Sequence, residues 1–562
     1  MTNDASMPNS TVDQLADAFW ERYLEMSPIS ATMYGDERYD DRLPDPGPAG
    51  RAKARQWALD MQAAAAAIPD DGLSVEDRIT RDMLRVIGEL VITQDDHRLD
   101  TLQVVDQMGG PQTLLPQMTQ FQAADTPERL ERFLERLHAY PAYMAANAEL
   151  VREALASGLT APRIVAERQI AQIKRMLEIP IDQAVVPSMA QVASDEDRER
   201  VREVVRDEVL PADAKFLEVL EGDYFGKTRT EPGIWSAPNG DEIYRTQILR
   251  WTTLALDPRD IHDSGVAELE DIDGERRALA RAAGFGDDVK AYRAALTADP
   301  ANTPATREAL VARAQSQIEH ADASASTMFR RLPRAACKVQ AVEEYKERDA
   351  PLAYYYPPSE DGSRPGTYYV NTFDLSTRSM WKYAAFTYHE ATPGHHFQIA
   401  LESENTALNR FRRFGSRLAG AAYVEGWGLY SERLADEMGL YLDDGERLGM
   451  LDAQAWRAAR LVVDTGLHAL RWTRQQSIDL LVDAGLTETD AIIETDRYIC
   501  IPAQALTYKV GQREIERLRR EIAARDGSAF DLREFHDQLL GHGSLPLATL
   551  ARELPNWVAT PA

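Results

Sequence analysis

Trp381–Glu402, WKYAAFTYHEATPGHHFQIALE, decides the reading of this chain. An apolar helical run delivers His389 and Glu390, the pair Pro393-Gly394 interrupts it, and His395 and His396 follow at once. In the zincin motif H-E-x-x-H, two histidines stand one helical turn apart, and the glutamate between them is aimed at a water. Here the fifth position is Pro393, which ligates nothing, so a second histidine ligand is His395 at i+6 or His396 at i+7. On a regular helix the first points about 240° away from His389, and the second returns to its face roughly 10 Å further along the axis. Neither shares a metal with His389 in that geometry. Pro393 lacks an N–H, clashes with the preceding turn and disfavours helical geometry at Thr392, and Gly394 is permissive. The helix is therefore expected to bulge or break there. A two-residue bulge brings His395 to the place of i+4. His395 is the favoured ligand, with His396 either supporting the ligands or facing the substrate.

A catalytic zinc keeps three protein ligands and one open position. The third ligand is expected from the helix at 417–438, where RLAGAAYVEGWGLYSERL places Glu425 on an apolar face, an odd position for an unpartnered carboxylate. Gly426 and Gly428 beside it allow close helix approach. Two turns on, Glu432 is placed to orient a ligand histidine, since a metal-bound imidazole donates its other N–H to a carboxylate or carbonyl.

The rest of the chain bounds the chemistry. Among 562 residues, 91 are acidic and 63 basic, a net charge of −28 that repels polyphosphate and anionic lipid. Nucleic acid and membranes are not expected partners. Apolar residues make up 44% and charged ones 27%, the balance of a folded protein. The two cysteines, Cys337 and Cys500, provide neither a disulfide framework nor a thiolate zinc site, so histidine and carboxylate must hold any metal. The opening MTNDASMPNSTVDQLADAF has no basic start followed by an apolar run, and the expected location is cytoplasmic.

Residues 1–230 read as a helical half covering the active site, and 231–562 as the catalytic half. In the first, 129–155 is one long amphipathic helix. Breaks are expected at 111–117, 159–163 and 179–188, and the charged run 194–209 reads as a solvated helix face. Segment 236–263, with Asn239-Gly240 and clustered β-branched and aromatic residues, is expected to be partly extended. Two aromatic runs around a turn rich in Pro, Asp and Gly predict a β-hairpin over 353–372. Its strand 367–372 is expected to serve as an edge for an extended peptide, with Tyr368, Tyr369 and Asn371 lining the cleft. The alternative is that these aromatics pack under the motif helix. Arg460, Asp464 and His468, at i, i+4 and i+8, suit a buried polar network. His536 and His542 are read as packing or capping groups.

The strings HEATPGHH (389–396), YVEGWGLYSERL (423–434), RLVVDTGLHALRW (460–472) and RYICIPAQALTYKVG (497–511), in this order, resemble the bacterial domain-of-unknown-function 885 family. That family is similar to helical zinc peptidases of the gluzincin type, such as angiotensin-converting enzyme, thimet oligopeptidase and carboxypeptidase Taq. The resemblance implies a mainly α, large helical zincin-like metallopeptidase fold, with a deep cleft between two helical halves and a small β-hairpin beside the active-site helix. It implies a thermolysin-type zinc site on the cleft floor, without choosing between His395 and His396; on the reading above, one zinc ion is expected to be held by His389, His395 and Glu425, with Glu390 as the general base for water attacking a peptide bond of a short peptide. Peptidases of this kind need an oxyanion donor from the C-terminal half, and Tyr508 is the first choice, with Tyr498 or His468 in reserve. Lys509 and Arg497 are the cations expected to meet a substrate carboxylate. Two rival readings are a zinc amide hydrolase for a non-peptide metabolite and a non-catalytic metal-containing binding protein.

Overall fold

Residues 10–181, 194–343, 347, 351–360 and 362–558 are described by the computed structural model. They are mainly helical, with one three-stranded sheet. The chain divides into two compact units. One comprises Met1–Pro232, Ser236–Gly240 and Ala407–Leu418, the other Gly233–Trp235, Asp241–Thr406 and Ala419–Ala562. Segment Ala407–Leu418, expected in the catalytic half, thus belongs to the first unit. Its anchors explain this: the Phe411 ring meets Phe19 edge-on at 4.9 Å, and Arg412 Nη1 donates to Thr80 Oγ1 at 3.2 Å.

In the first unit the long helix is Pro127–Ser157. Thr126 Oγ1 accepts from the Arg129 N–H at its start, Pro127 occupies the first turn, and Gly158 takes a left-handed φ of 74° at its end. Leu130, Phe133, Leu134, Leu137, Tyr140 and Met144 form its buried stripe. Helix Asp195–Val204 buries only Val201, as a solvated charged face should. The expected break at 159–163 falls on the turn before helix Arg163–Glu178, 111–117 is instead a 3-10 turn running into the short helix Leu114–Met118, and most of 179–188 lies outside the described residues. The extended region expected at 236–263 is instead largely helical, Gly240–Thr252. Asn239 takes the left-handed turn (φ 54°), and the Asn-Gly pair starts a helix where an extended region was expected.

The second unit is built around helix Asp444–His468, of whose 25 residues all but three are buried. Against it pack Pro258–Ala282 and the motif helix Met380–Glu390. Ala384, Ala385 and Tyr388 of the motif helix share one apolar cluster with Met450, Leu451, Ala455 and Ala458. The sheet has the order β1 (Lys338–Ala341), β3 (Thr367–Val370), β2 (Ala353–Tyr356), with β1 parallel and β2 antiparallel to β3. The expected hairpin is β2–β3, and β1 is an addition. Strand β3 is therefore central and offers no free edge to a peptide. Tyr368 and Val370 point into a cluster with Tyr383 and Ala391, so the motif helix is clamped between the sheet and the central helix.

Candidate metal centre

The motif helix stops at Glu390, and a new helix starts at His395 and runs to Glu404. Between them the chain breaks; it does not bulge. Residues 391–394 form an irregular turn with a cis Thr392–Pro393 bond, in which Ala391 N–H still bonds to Thr387 O at 2.9 Å. Trp427 Nε1 donates to the carbonyls of Pro393 and Gly394 at 2.9 and 3.2 Å, which holds the break in place.

This turn brings His395 back beside His389, with ring centroids 4.7 Å apart and nearly perpendicular. His389, Glu390 and His395 each offer a ligating atom within 4.8 Å of the others. Glu425 Oε2, from helix Ala421–Glu437, lies 3.6 Å from His389 Nε2 and 3.5 Å from His395 Nε2. Donor atoms sharing a tetrahedral zinc at bonds of about 2.0–2.1 Å stand roughly 3.3–3.4 Å apart, so Glu425 Oε2 stands near ligand spacing from each of the two imidazoles. His395 Nδ1 is buried without a hydrogen-bond partner among the described residues, and a quarter of the Glu425 side chain is exposed. Glu390, half-buried, forms no hydrogen bond or ion pair among the described residues.

Glycine is required at 428. A Cβ there would lie 2.8 Å from His389 Cε1 and Nε2 and 2.9 Å from His395 Cε1, so any side chain would push the rings apart. On the next face, Gly426 meets Gly511 at van der Waals range, and a Cβ at either would collide with the other helix's backbone. The glycine pair draws helix Thr507–Asp526 against Ala421–Glu437 and sets the Tyr508 ring 6.3 Å from that of His389. The Tyr508 hydroxyl has no partner among the described residues.

Glu432 is fully buried, and its Oε1 accepts from His389 Nδ1 at 2.8 Å, which fixes the tautomer that leaves Nε2 free to ligate. Gln454 Nε2 donates to Glu432 Oε2 at 2.9 Å, and Lys509 Nζ donates to Gln454 Oε1 at 3.0 Å. Burial disfavours a charged His389, but Glu425 and Glu432 at its two nitrogens outweigh it and raise its pKa to about 9. Burial raises the Glu425 carboxyl, yet the two imidazoles hold it well below the usual carboxylate range. Such a cluster attracts positive charge.

Several expected site residues are elsewhere engaged. His396 donates from Nε2 to Ala335 O at 2.9 Å and accepts at Nδ1 from Tyr355 Oη at 3.0 Å, so it neither ligates nor faces substrate. Lys509, 2% exposed, is held by Gln454 and by Glu268 at 3.5 Å, and burial lowers its pKa, so it is not open to a substrate carboxylate. Tyr498 Oη donates to Glu494 and accepts from Arg460 Nε and Trp456 Nε1, which fills its capacity and removes it as an oxyanion donor. His468 accepts from Ile234 N–H and donates to Tyr498 O, a structural clamp. Asn371 is buried and bonds to the backbone of Glu347 and Pro351, and Tyr369 stacks on Tyr354 on the sheet face opposite Tyr368. Arg497 remains partly exposed, at 22%. His536, between Tyr430 Oη and Met328 O, is a packing group, its pKa lowered by burial to about 3, and His542 stacks on Trp557. The sequence reading missed Trp427 and Gln454: nothing in the primary structure marks a Trp N–H or a Gln as holding a distant turn or carboxylate.

Among solved structures, the putative lipoprotein from Colwellia psychrerythraea is 28% identical, with a TM-score of 0.91 over 98% of this chain and 99% of that one. A putative lipoprotein of unknown function from Shewanella oneidensis shares the fold at 20% identity, with a TM-score of 0.75 over 97% and 99%. No curated protein matches. The family model described as bacterial protein of unknown function (DUF885) matches residues 28–554, nearly the whole chain, and the protein belongs to that family.

Proposed function

We propose that this chain is a zinc-dependent hydrolase that cleaves peptide bonds of short peptides. The observation that carries the reading is the convergence of His389 Nε2, His395 Nε2 and Glu425 Oε2 beside a partnerless Glu390. These three residues would hold the metal, and zinc bound there supplies Lewis acidity toward a carbonyl and a water. The protein's own groups do the rest. Glu390 takes the proton of the attacking water and passes it to the leaving amine, so one water is added across the amide. Tyr508 Oη donates to the carbonyl oxygen as negative charge grows there. Glu432, braced by Gln454 and Lys509, keeps the His389 Nε2 lone pair turned toward the cluster.

The gluzincin resemblance, the zincin-like fold and a deep substrate cleft belong to this reading, as does a short peptide partner with neither nucleic acid nor membrane. No helix of the described residues is long and apolar enough to cross a membrane. A cytoplasmic location is also part of the proposal. The two solved relatives are called putative lipoproteins, so cell fractionation tests that location separately.

Metal analysis paired with turnover of a peptide mixture tests the function. Near-stoichiometric zinc in the wild type, lost in His395→Ala and Glu425→Ala, is expected. Glu390→Gln should retain zinc while hydrolysis falls by roughly 10²–10⁴-fold. Wild-type protein that takes up no metal when supplied with zinc sinks the reading.

A further inference from the structure

The charge balance on the far side of Tyr508 is incomplete. Arg460, on the central helix, is buried; its Nε donates to Tyr498 Oη at 2.9 Å and its Nη2 to Glu494 Oε2 at 3.0 Å, while Nη1 has no partner among the described residues. Its guanidinium carbon stands 4.3 Å from the Tyr508 ring centre and 4.5 Å from Trp456. Arg497 gives Nη2 to the neutral Gln504 at 2.7 Å, and its Nη1 reaches Glu494 only at 3.5 Å. Among the described residues, Glu494 is the one carboxylate paired with either guanidinium. Two cations thus share one anion, with a buried N–H left over. Buried charge is costly unless it is compensated, so this excess of positive charge points to an anion arriving from outside. On the other side of Tyr508 the sign reverses: Glu390, Glu425 and Glu432 surround two imidazoles.

We propose that Arg497, partly exposed and backed by the buried Arg460, receives a carboxylate of the substrate, foremost the free α-carboxylate of a peptide's C-terminus. Tyr508 separates the two poles, 6.3 Å from His389 and 4.3 Å from Arg460. Those two distances bound the span from His389 to Arg460 at about three extended residues of 3.3–3.6 Å each, so a chain with its carbonyl at the cluster and its carboxylate at the guanidiniums is cut close to its end. This role replaces the one expected of Lys509. The inference rests on the peptidase reading only in making the anion part of a peptide; the charge balance stands apart from it.

The test compares acetyl-Ala-Phe carrying a free carboxylate, the same peptide as its C-terminal amide, and acetyl-Asp-Phe amide. Turnover is measured with wild type, Arg497→Gln, Arg497→Lys and Arg460→Gln, and calorimetric binding with Glu390→Gln. Wild type should prefer the free acid to its amide by at least about tenfold in kcat/KM, mostly through KM, the scale of a hydrogen bond to a charged group. That ratio should approach one in Arg497→Gln and partly recover in Arg497→Lys, which a merely structural role would not produce. Arg460→Gln should also lose it if the variant folds; Arg497, being partly exposed, carries the test if it does not. Equal turnover of acid and amide by wild type overturns the subsite, as does a preference that survives in Arg497→Gln. Asp-bearing amide cleaved as well as the free acid supports a carboxylate subsite that reads a side chain. Should no peptide be cleaved, the peptidase reading fails; acid binding at least tenfold tighter than amide would still uphold the subsite, and equal binding would remove it.

Discussion

Two buried polar clusters lie within one unit, and they are built on opposite rules. Around Asp464 and His468 every strong group is matched: Asp464 accepts from Tyr244 Oη at 2.7 Å and from Ala503 N–H at 3.0 Å, and His468 takes one donor and one acceptor. Around His389, His395 and Glu425 two imidazole nitrogens and one carboxylate oxygen converge at 3.5–3.6 Å, wider than a normal hydrogen bond. The first arrangement spends its hydrogen-bonding capacity on the fold. The second withholds it, and withheld capacity at metal-ligand spacing is what separates a candidate site from a structural network.

Substitutions that remove one member from each cluster test that contrast most severely. His395→Ala should lower metal content to near zero and leave the melting temperature of the metal-free protein almost unchanged. Asp464→Ala should leave Tyr244 and the Ala503 N–H unsatisfied and destabilise the fold by about 2–4 kcal/mol, measured by denaturant unfolding. If both variants lose stability equally with metal stripped, the two clusters are of one kind and the comparison fails.

A gentler change sharpens the geometry. Gly428→Ala leaves every polar atom of the centre in place but drives a methyl to within 2.8 Å of His389 Nε2. Metal affinity should fall by roughly 10–100-fold, the scale seen when groups that orient metal ligands are disturbed. Competition with a chromophoric chelator reads this directly, and an unchanged affinity would mean the ion lies away from the two Nε2 atoms.

The smallest effect is a slope. Burial raises the Asp464 carboxyl to about 7, partly offset by Tyr244 and the Ala503 N–H. Its folded pKa thus lies above the unfolded value, so the folded chain holds the proton longer. The full stability is present below about pH 4 and is lost as pH rises toward 7. Asp464→Asn should flatten the fall in unfolding free energy across that window. Asp213, buried in the other unit beneath Tyr140 Oη and also raised to about 7, should keep its own share.

Legibility in the sequence follows the range of the interaction. His389, Glu390, His395 and Glu425 were readable because Pro393-Gly394 forces a local break, and because a carboxylate on an apolar face needs a partner. Glu432 was readable for the same kind of reason, being one helix repeat from Glu425. Lys509, His396 and Asn371 were misplaced, since a polar side chain looks equally available whether or not a partner waits far along the chain. For Lys509 that partner is Gln454, 55 residues away; for His396 it is Tyr355 and the backbone of Ala335. Strand 367–370 was found, but its central place in the sheet was not, because the parallel neighbour Lys338–Ala341 pairs through a long crossover that leaves no local signal.

The sequence by itself determined the helical class, the interrupted histidine motif and the carboxylate on the apolar face at Glu425, because each is set by residues within a turn or two of one another. Only the tertiary structure decided which of the remaining polar groups are spent: that Tyr498 and His468 are consumed by the fold, and that among the described residues the Tyr508 hydroxyl and one nitrogen of Arg460 meet no partner. Hydrogen-bonding capacity is a sum over neighbours in space, and those neighbours come from helices that only packing brings together.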